Sequence, residues 1–256
     1  MRVTVLGCWA PYPRAGGACS GYLVEDGDVT IYLEAGHGSF SRLCCHVDFR
    51  RLTGAVVSHF HADHWVDLLC LRHAVAGARR AGTLASPLPL IVPGAPEEIY
   101  RRLAGYTDAF VTRAFEALPV ASRPGEPVVR VAEVGHLRLE FLPVPHPVPA
   151  YALAIAGRRR LVFSGDTAWS DELAQLAAGA DLFLCEASGL AGDQRVLFDR
   201  HLTAGQAGEL ARRAGVRRLV LTHFWPEYDL EDLRREAQVN FGAPVILARE
   251  GLCLEM

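Results

Sequence analysis

Lysine is absent: all 26 basic side chains are arginine. That excludes a lysine Schiff base and a P-loop lysine. With 29 acidic residues the formal charge is −3, so the chain lacks the basic excess with which a protein grips a nucleic-acid backbone by charge alone. No apolar run is long enough to span a bilayer. The opening Met1-Arg2-Val3-Thr4-Val5-Leu6 alternates like a strand and carries no apolar signal-peptide core. Seven cysteines make an odd count without paired C-x-x-C spacing, and Cys44, Cys45, Cys70, Cys185 and Cys253 sit among apolar neighbours in sequence. The expectation is reduced core thiols in a cytoplasmic protein.

What is present is enough for a substantial core. Half of the 256 residues are hydrophobic, and no Pro/Gly/Ser linker divides them, so residues 1–256 read as one structural domain. Strands are expected at Arg2–Leu6, Gly21–Val24, Val29–Leu33, Ala55–Val57, Leu90–Val92, Val128–Ala132, Leu137–Val144, Tyr151–Ile155 and Leu161–Phe163. Asp26-Gly27 marks a hairpin, and Gly157 to Arg160 a solvated turn. The spacing then predicts helices over Asp171–Ala178, Thr203–Ala214 and Leu230–Phe241, alternating with strands at Leu182–Cys185, Arg218–Leu221, Val245–Ala248 and Leu252–Leu254. Earlier helices are expected through Cys45, after His64, and over Ala95–Leu103; Gly105–Val120 is ambiguous. Two halves with this pattern imply an α+β protein with two mixed sheets packed face to face and helices outside.

The chemistry concentrates in Ser58-His59-Phe60-His61-Ala62-Asp63-His64, an H-x-H-x-D-H cluster directly after an apolar strand. Imidazole and carboxylate are the ligands that borderline divalent metals prefer, and so dense a set is costly unless it binds a cation. Three more ligand-type residues follow apolar strands: His146 after Leu142-Pro143-Val144, Asp166 after Phe163-Ser164-Gly165, and His223 after Leu219-Val220-Leu221-Thr222. Strand ends are where loops gather into a site.

These motifs, over nearly the whole chain, resemble the metallo-β-lactamase superfamily of metallo-hydrolases, and within it the branch of ribonuclease Z and bacterial cyclic-nucleotide phosphodiesterases. The segment His201-Leu202-Thr203-Ala204-Gly205-Gln206 is similar to the histidine-containing helix start of that branch. The resemblance implies a four-layer αββα sandwich. It also implies two divalent metal ions, one held by His59, His61 and His146, the other by Asp63, His64 and His223, with Asp166 bridging. Zinc suits the histidines; manganese or iron is chemically allowed at a mixed N/O site. The implied chemistry is hydrolysis by water activated between the ions. Asp63 would also manage a proton, and Glu186 with His201 would protonate the leaving oxygen. Where the family has an aspartate after the third strand, this chain has Glu34, one methylene longer, which leaves its reach to a ligand imidazole open. His37, His46, His73 and His136 lack ligand-like placement.

Relatives that process transfer RNA precursors carry a long arm between the positions of His146 and Asp166. Here 19 residues lie between them, all needed for one hairpin. The expected substrate is therefore a small phosphodiester such as a 3′,5′-cyclic nucleotide, with no membrane partner. A ribonuclease Z-like endonuclease, or a lactone, thioester or β-lactam hydrolase, is the alternative. The resemblance also carries the expectation of a homodimer, although no segment locates its interface. Tyr12, Cys19, Trp65, Trp169 and Trp225 lie in loops near the motifs, where an aromatic such as Trp225 could stack on a base.

Overall fold

A computed structural model describes every residue of the chain except Arg123 and Phe198. Strands β1 (Arg2–Gly7), β2 (Gly21–Asp26) and β3 (Val29–Ala35) form an antiparallel meander. Its β2–β3 turn uses Gly27 at φ 59°, a left-handed conformation glycine adopts without a Cβ penalty. Helix α1 (Ser39–His46) follows, then β4 (Gly54–Val56), α2 (Ala62–Trp65), α3 (Leu68–Arg80), β5 (Leu88–Val92), α4 (Glu97–Ala104) and β6 (Phe110–Ala114). Strands β4, β5 and β6 extend the sheet in parallel from β3. Parallel strands covered on both faces bury nearly everything, and β3 is buried at every position.

The second half repeats the plan. Strands β7 (Val120–Ala121), β8 (Val129–Val134), β9 (Leu137–Val144), β10 (Ala150–Ala156) and β11 (Arg160–Phe163) run antiparallel in turn. After α5 (Asp171–Leu176) come β12 (Leu182–Glu186), α6 (Gln194–Leu197), α7 (Ala204–Ala214), β13 (Leu219–Thr222), α8 (Leu230–Phe241) and β14 (Val245–Leu247). The strands among them continue in parallel from β11. The last strand, β15 (Cys253–Glu255), crosses back to pair with β1. The resulting orders are β15-β1-β2-β3-β4-β5-β6 and β14-β13-β12-β11-β10-β9-β8-β7.

One core cluster joins the sheets, with Tyr22 and Ile31 from the first and Phe141, Phe163 and Phe183 from the second, all at most 2% exposed. Tyr22 meets Phe163 at 5.3 Å between ring centroids, and its hydroxyl pairs with Thr222 Oγ1 at 2.6 Å. A second cluster, including Leu23, Tyr32, Val57, Leu68 and Leu71, packs the other face of the first sheet. Each such side chain stabilises the fold by about 1.5–3 kcal/mol relative to exposure. The sandwich of two mixed sheets with helices outside is the architecture the residue pattern implies.

The structure also departs from the sequence expectations. Gly105–Val120 becomes β6, a 3₁₀ turn at Phe115–Ala117 and the start of β7; as a sheet edge, β6 buries Phe110 alone, too weak an alternation to read. The helix after the cluster breaks into α2 and α3. Arg158 and Arg159 are exposed, but Arg160 donates to Glu140 and to the Leu176 carbonyl, both at 3.0 Å. The reading of core thiols holds for Cys185, with Cys8 and Cys19, but not for Cys44, Cys45, Cys70 and Cys253, which are exposed. Apolar neighbours in sequence do not share a face. Helix α1 buries Ser39 and Leu43, so Cys44 and Cys45 turn outward, and in β15 only Leu254 is buried.

Candidate functional site

The seven predicted ligand-type residues meet where carboxyl ends of parallel strands from both sheets converge, the usual place for a site in sheets of this kind. Tight spacing does the local work. His59 and His61 follow the end of β4, His61 in extended backbone at the start of α2, and Asp63 and His64 fall in the single turn of that helix. Inside the cluster His59 Nε2 lies 3.1 Å from His61 Nδ1, and His61 Nδ1 lies 3.1 Å from His146 Nε2. On the other side His64 Nε2 and His223 Nε2 are 3.2 Å apart, each 3.5 Å from Asp63 Oδ2. Asp166 Oδ2 stands between the groups, 3.5 Å from His59, 3.4 Å from His64 and 3.1 Å from His223.

The outward nitrogens explain why the inner ones face one another. His64 Nδ1 donates to Glu34 Oε2 at 2.5 Å, and Ser58 donates to the same carboxylate through its backbone N (2.6 Å) and Oγ (3.1 Å). Glu34 therefore reaches its target despite the extra methylene. The Ser58 hydroxyl in turn accepts from His59 Nδ1 at 3.0 Å. His146 Nδ1 donates to the Arg200 carbonyl at 2.8 Å, and His223 Nδ1 to Ser188 Oγ at 2.9 Å. In these four rings an acceptor holds the Nδ1 hydrogen and leaves Nε2 to face inward, whereas His61 turns Nδ1 into the cluster. Glu34 and His223 are also the non-glycine residues with positive φ among the described residues, at 59° and 60°. Such backbone strain clusters at functional sites.

This donor set fits divalent cations. Lone pairs and carboxylates crowd together at 3.1–3.5 Å, and buried Asp166 Oδ1 has no hydrogen-bond partner. Ligand atoms about 2.0–2.2 Å from a tetrahedral ion stand about 3.3–3.6 Å apart, close to the observed spacing. The charges agree. On protein groups alone, burial opposes protonation, yet Asp166 and Asp63 lift His64 well above the ordinary imidazole value and His223 to about 10. Burial keeps His59, His61 and His146 below it. The carboxylates demand positive charge, and the neutral imidazoles are ready to bind it. Four-residue groups His59, His61, His146 and Asp166, and three-residue groups Asp63, His64 and His223, could each hold an ion.

Glu186 and His201 are brought to the same place. Glu186 is fully buried and accepts from Thr167 N (2.6 Å), Ser188 Oγ (2.6 Å) and His201 Nδ1 (3.1 Å). Burial works against charge on His201, but Glu186 and then Asp166 raise its pKa above the ordinary value. Ser58, Ser188 and Arg200 are contributors that sequence reasoning missed. The two serines stand within two positions of motif residues, a weak signal; Arg200 acts through its backbone carbonyl, which carries none. His37, His46 and His73 are exposed, and His136 pairs with Asp26 at 3.2 Å. Of the loop residues, Trp225 reaches the site, Tyr12 sits beside it, Cys19 and Trp65 are buried, and Trp169 lines a separate depression.

A cavity of about 550 Å³ opens over the cluster, lined by His61, Asp63, His146, Asp166, His201 and His223 on one side and by Pro11, Pro147, Val196, Leu197, Arg200 and Trp225 elsewhere. No helix among the described residues is long and apolar enough to cross a membrane. Residues 30–224 match the family described as "Beta-lactamase superfamily domain". The chain is 31% identical over 257 residues to "Probable metallo-hydrolase YhfI" of Bacillus subtilis, with 100% of each covered. The crystal structure of that metallo-beta-lactamase fold protein superposes with a TM-score of 0.89 at 29% identity, covering 99% of this chain and 98% of that one. Ribonuclease Z of Thermobifida fusca is 29% identical over 302 positions, with 97% of this chain and 92% of the relative covered. That alignment is longer than the chain itself, so the relative carries insertions that this chain lacks. Family match, whole-length relatives and fold together place the chain in the beta-lactamase superfamily, among its metallo-hydrolases.

Proposed function

We propose that the protein is a dinuclear metal-dependent phosphodiesterase acting on a small phosphodiester such as a 3′,5′-cyclic nucleotide. The observation that carries this reading is His201 on the wall of the cavity beside the ligand cluster, with the fully buried Glu186 carboxylate 3.1 Å behind its Nδ1. Divalent ions held by His59, His61 and His146, by Asp63, His64 and His223, and by Asp166 between them would supply Lewis-acid charge and lower the pKa of water. The chain's own residues do the rest. Departure of an alkoxide from a phosphodiester needs a proton, and His201 can give one from Nε2 because Glu186 holds Nδ1 and favours the charged ring. Asp63, at the cavity edge, takes up the proton from the attacking water. Ser188 joins this acid pair to His223 and keeps both imidazoles in register.

Two features favour a small substrate. The cavity suits a mononucleotide-sized ligand, and the stretch between His146 and Asp166 is spent on the β10–β11 hairpin, which leaves no recruiting arm for transfer RNA. Protein reconstituted with zinc or manganese is to be assayed against 3′,5′-cyclic AMP, bis(p-nitrophenyl) phosphate, short RNA, a lactone and a β-lactam. Turnover of both small phosphodiesters is expected. Hydrolysis of the lactone or β-lactam without either phosphodiester would sink the proposal, and cleavage of RNA alone would favour the ribonuclease Z-like alternative.

A further inference from the structure

Trp225 lies two residues beyond His223, lines the cavity, and is 44% exposed. Exposure of one aromatic is ordinary by itself, but this ring stands on the wall of the cavity that holds the ligand cluster. This one is not left out on a loose loop. Phe224, just before it, is fully buried; its N donates to the Cys8 carbonyl at 2.9 Å, and its carbonyl accepts from Ala10 N at 3.0 Å. Just after it, Arg14 Nε donates to the Pro226 carbonyl at 2.8 Å and Arg14 Nη2 to the Tyr228 carbonyl at 2.8 Å. Tyr228 N closes the turn on the Trp225 carbonyl at 3.2 Å. The Tyr12 phenol, beside the indole, donates to Glu227 Oε1 at 3.0 Å. Backbone on both sides of Trp225 is therefore pinned, so the point from which the indole projects into the cavity is set relative to the ligand cluster. Pro11, Pro147 and Val196 complete an apolar lining in the same cavity.

We infer that Trp225 is a specificity-determining platform on which the substrate stacks a planar heteroaromatic group, so that the site selects phosphodiesters bearing a base over those without one. The pinned turn lowers the entropy cost of this selection, because the backbone that carries the aromatic is ordered before the ligand arrives. The inference takes its reaction from the phosphodiesterase reading, but the platform itself can be tested by binding alone. A base stacked on one aromatic side chain contributes a discrimination of about 5- to 150-fold.

Calorimetric titration of the metal-loaded protein with adenosine 5′-monophosphate and with ribose 5-phosphate measures that ratio directly. The wild type is expected to prefer the nucleotide by about tenfold or more. Trp225→Ala should collapse the ratio toward one, and Trp225→Phe should retain most of it. In turnover, the kcat/KM ratio of 3′,5′-cyclic AMP to its abasic methyl riboside 3′,5′-cyclic phosphate should fall in step, mainly through KM for the nucleotide. An unchanged ratio in Trp225→Ala, no nucleotide preference in the wild type, or no binding of either ligand at millimolar concentration would overturn the inference. A preference that depends on Trp225 in a protein that hydrolyses no phosphodiester would leave the platform standing and remove the reaction assigned to it.

Discussion

Replacing Glu34 by glutamine keeps its shape and deletes one acceptor, which makes it a sharp test of how the cluster is held. The carboxylate receives Ser58 N on Oε1 and both His64 Nδ1 and Ser58 Oγ on Oε2. An amide offers one oxygen. If its NH₂ faces His64, the ring must shift its hydrogen to Nε2, which fills the lone pair now directed at His223 3.2 Å away. If it faces Ser58, a buried backbone N–H loses its acceptor at a cost of about 1–3 kcal/mol. Metal binding has to overcome either penalty. At about 1.4 kcal/mol per tenfold, affinity should drop by roughly 10- to 100-fold, the range found when an orienting carboxylate is lost. The loss should be greater for the ion sharing His64 than for the one sharing His61 and His146. Zinc titration against a chromophoric chelator reads stoichiometry and both affinities, with far-ultraviolet circular dichroism confirming the fold. Two ions bound with wild-type affinity would refute the role assigned to Glu34.

Three further outcomes follow from the same geometry. His201→Ala should slow 3′,5′-cyclic AMP hydrolysis by about 10²- to 10⁴-fold yet affect bis(p-nitrophenyl) phosphate far less, since p-nitrophenolate departs without a proton; equal losses on both would remove the acid role. A Cβ on Gly36 would lie 2.0 Å from the Asp63 carbonyl oxygen and 2.8 Å from that of Ser20. Gly36→Ala should therefore cost about 1–3 kcal/mol, lower Tm by about 2–4 °C per kcal/mol and reduce bound zinc; a melting curve and metal content that match wild type would contradict the packing. In neutral buffer a chromogenic disulfide reagent should titrate Cys44, Cys45, Cys70 and Cys253 at once and spare Cys8, Cys19 and Cys185 until denaturant is added. Burial pushes the Cys19 thiol up to about 12 and those of Cys8 and Cys185 well above the ordinary value, so they stay protonated and unreactive until well above neutral pH; release of seven fast thiols from folded protein would refute it.

Much of this was legible in one dimension because it depends on local spacing. His59 to His64 declare themselves by density, and α7 by its start, where Thr203 Oγ1 accepts from Gln206 N (3.2 Å) and Gln206 Oε1 from Thr203 N (2.9 Å). His146, Asp166 and His223 follow apolar strands, and sheets of this kind collect their strand ends. Periodicity likewise placed most strands and helices within a residue or two. It faltered where a single face packs: β6 at a sheet edge, and the cysteines whose apolar neighbours in sequence point elsewhere.

The sequence by itself determined the ligand types, their local spacing and the reaction family. Only the tertiary structure decided which atom of each ligand faces inward. For His64, His223 and His146 that choice rests on acceptors brought from afar by sheet order and register: Glu34 from the end of β3, Ser188 beyond β12, and the carbonyl of Arg200, a group every residue carries and no residue type announces. The tertiary structure alone likewise showed that the turn carrying Trp225 is pinned from both sides by the loop after β1, because those hydrogen bonds join segments that lie at opposite ends of the chain.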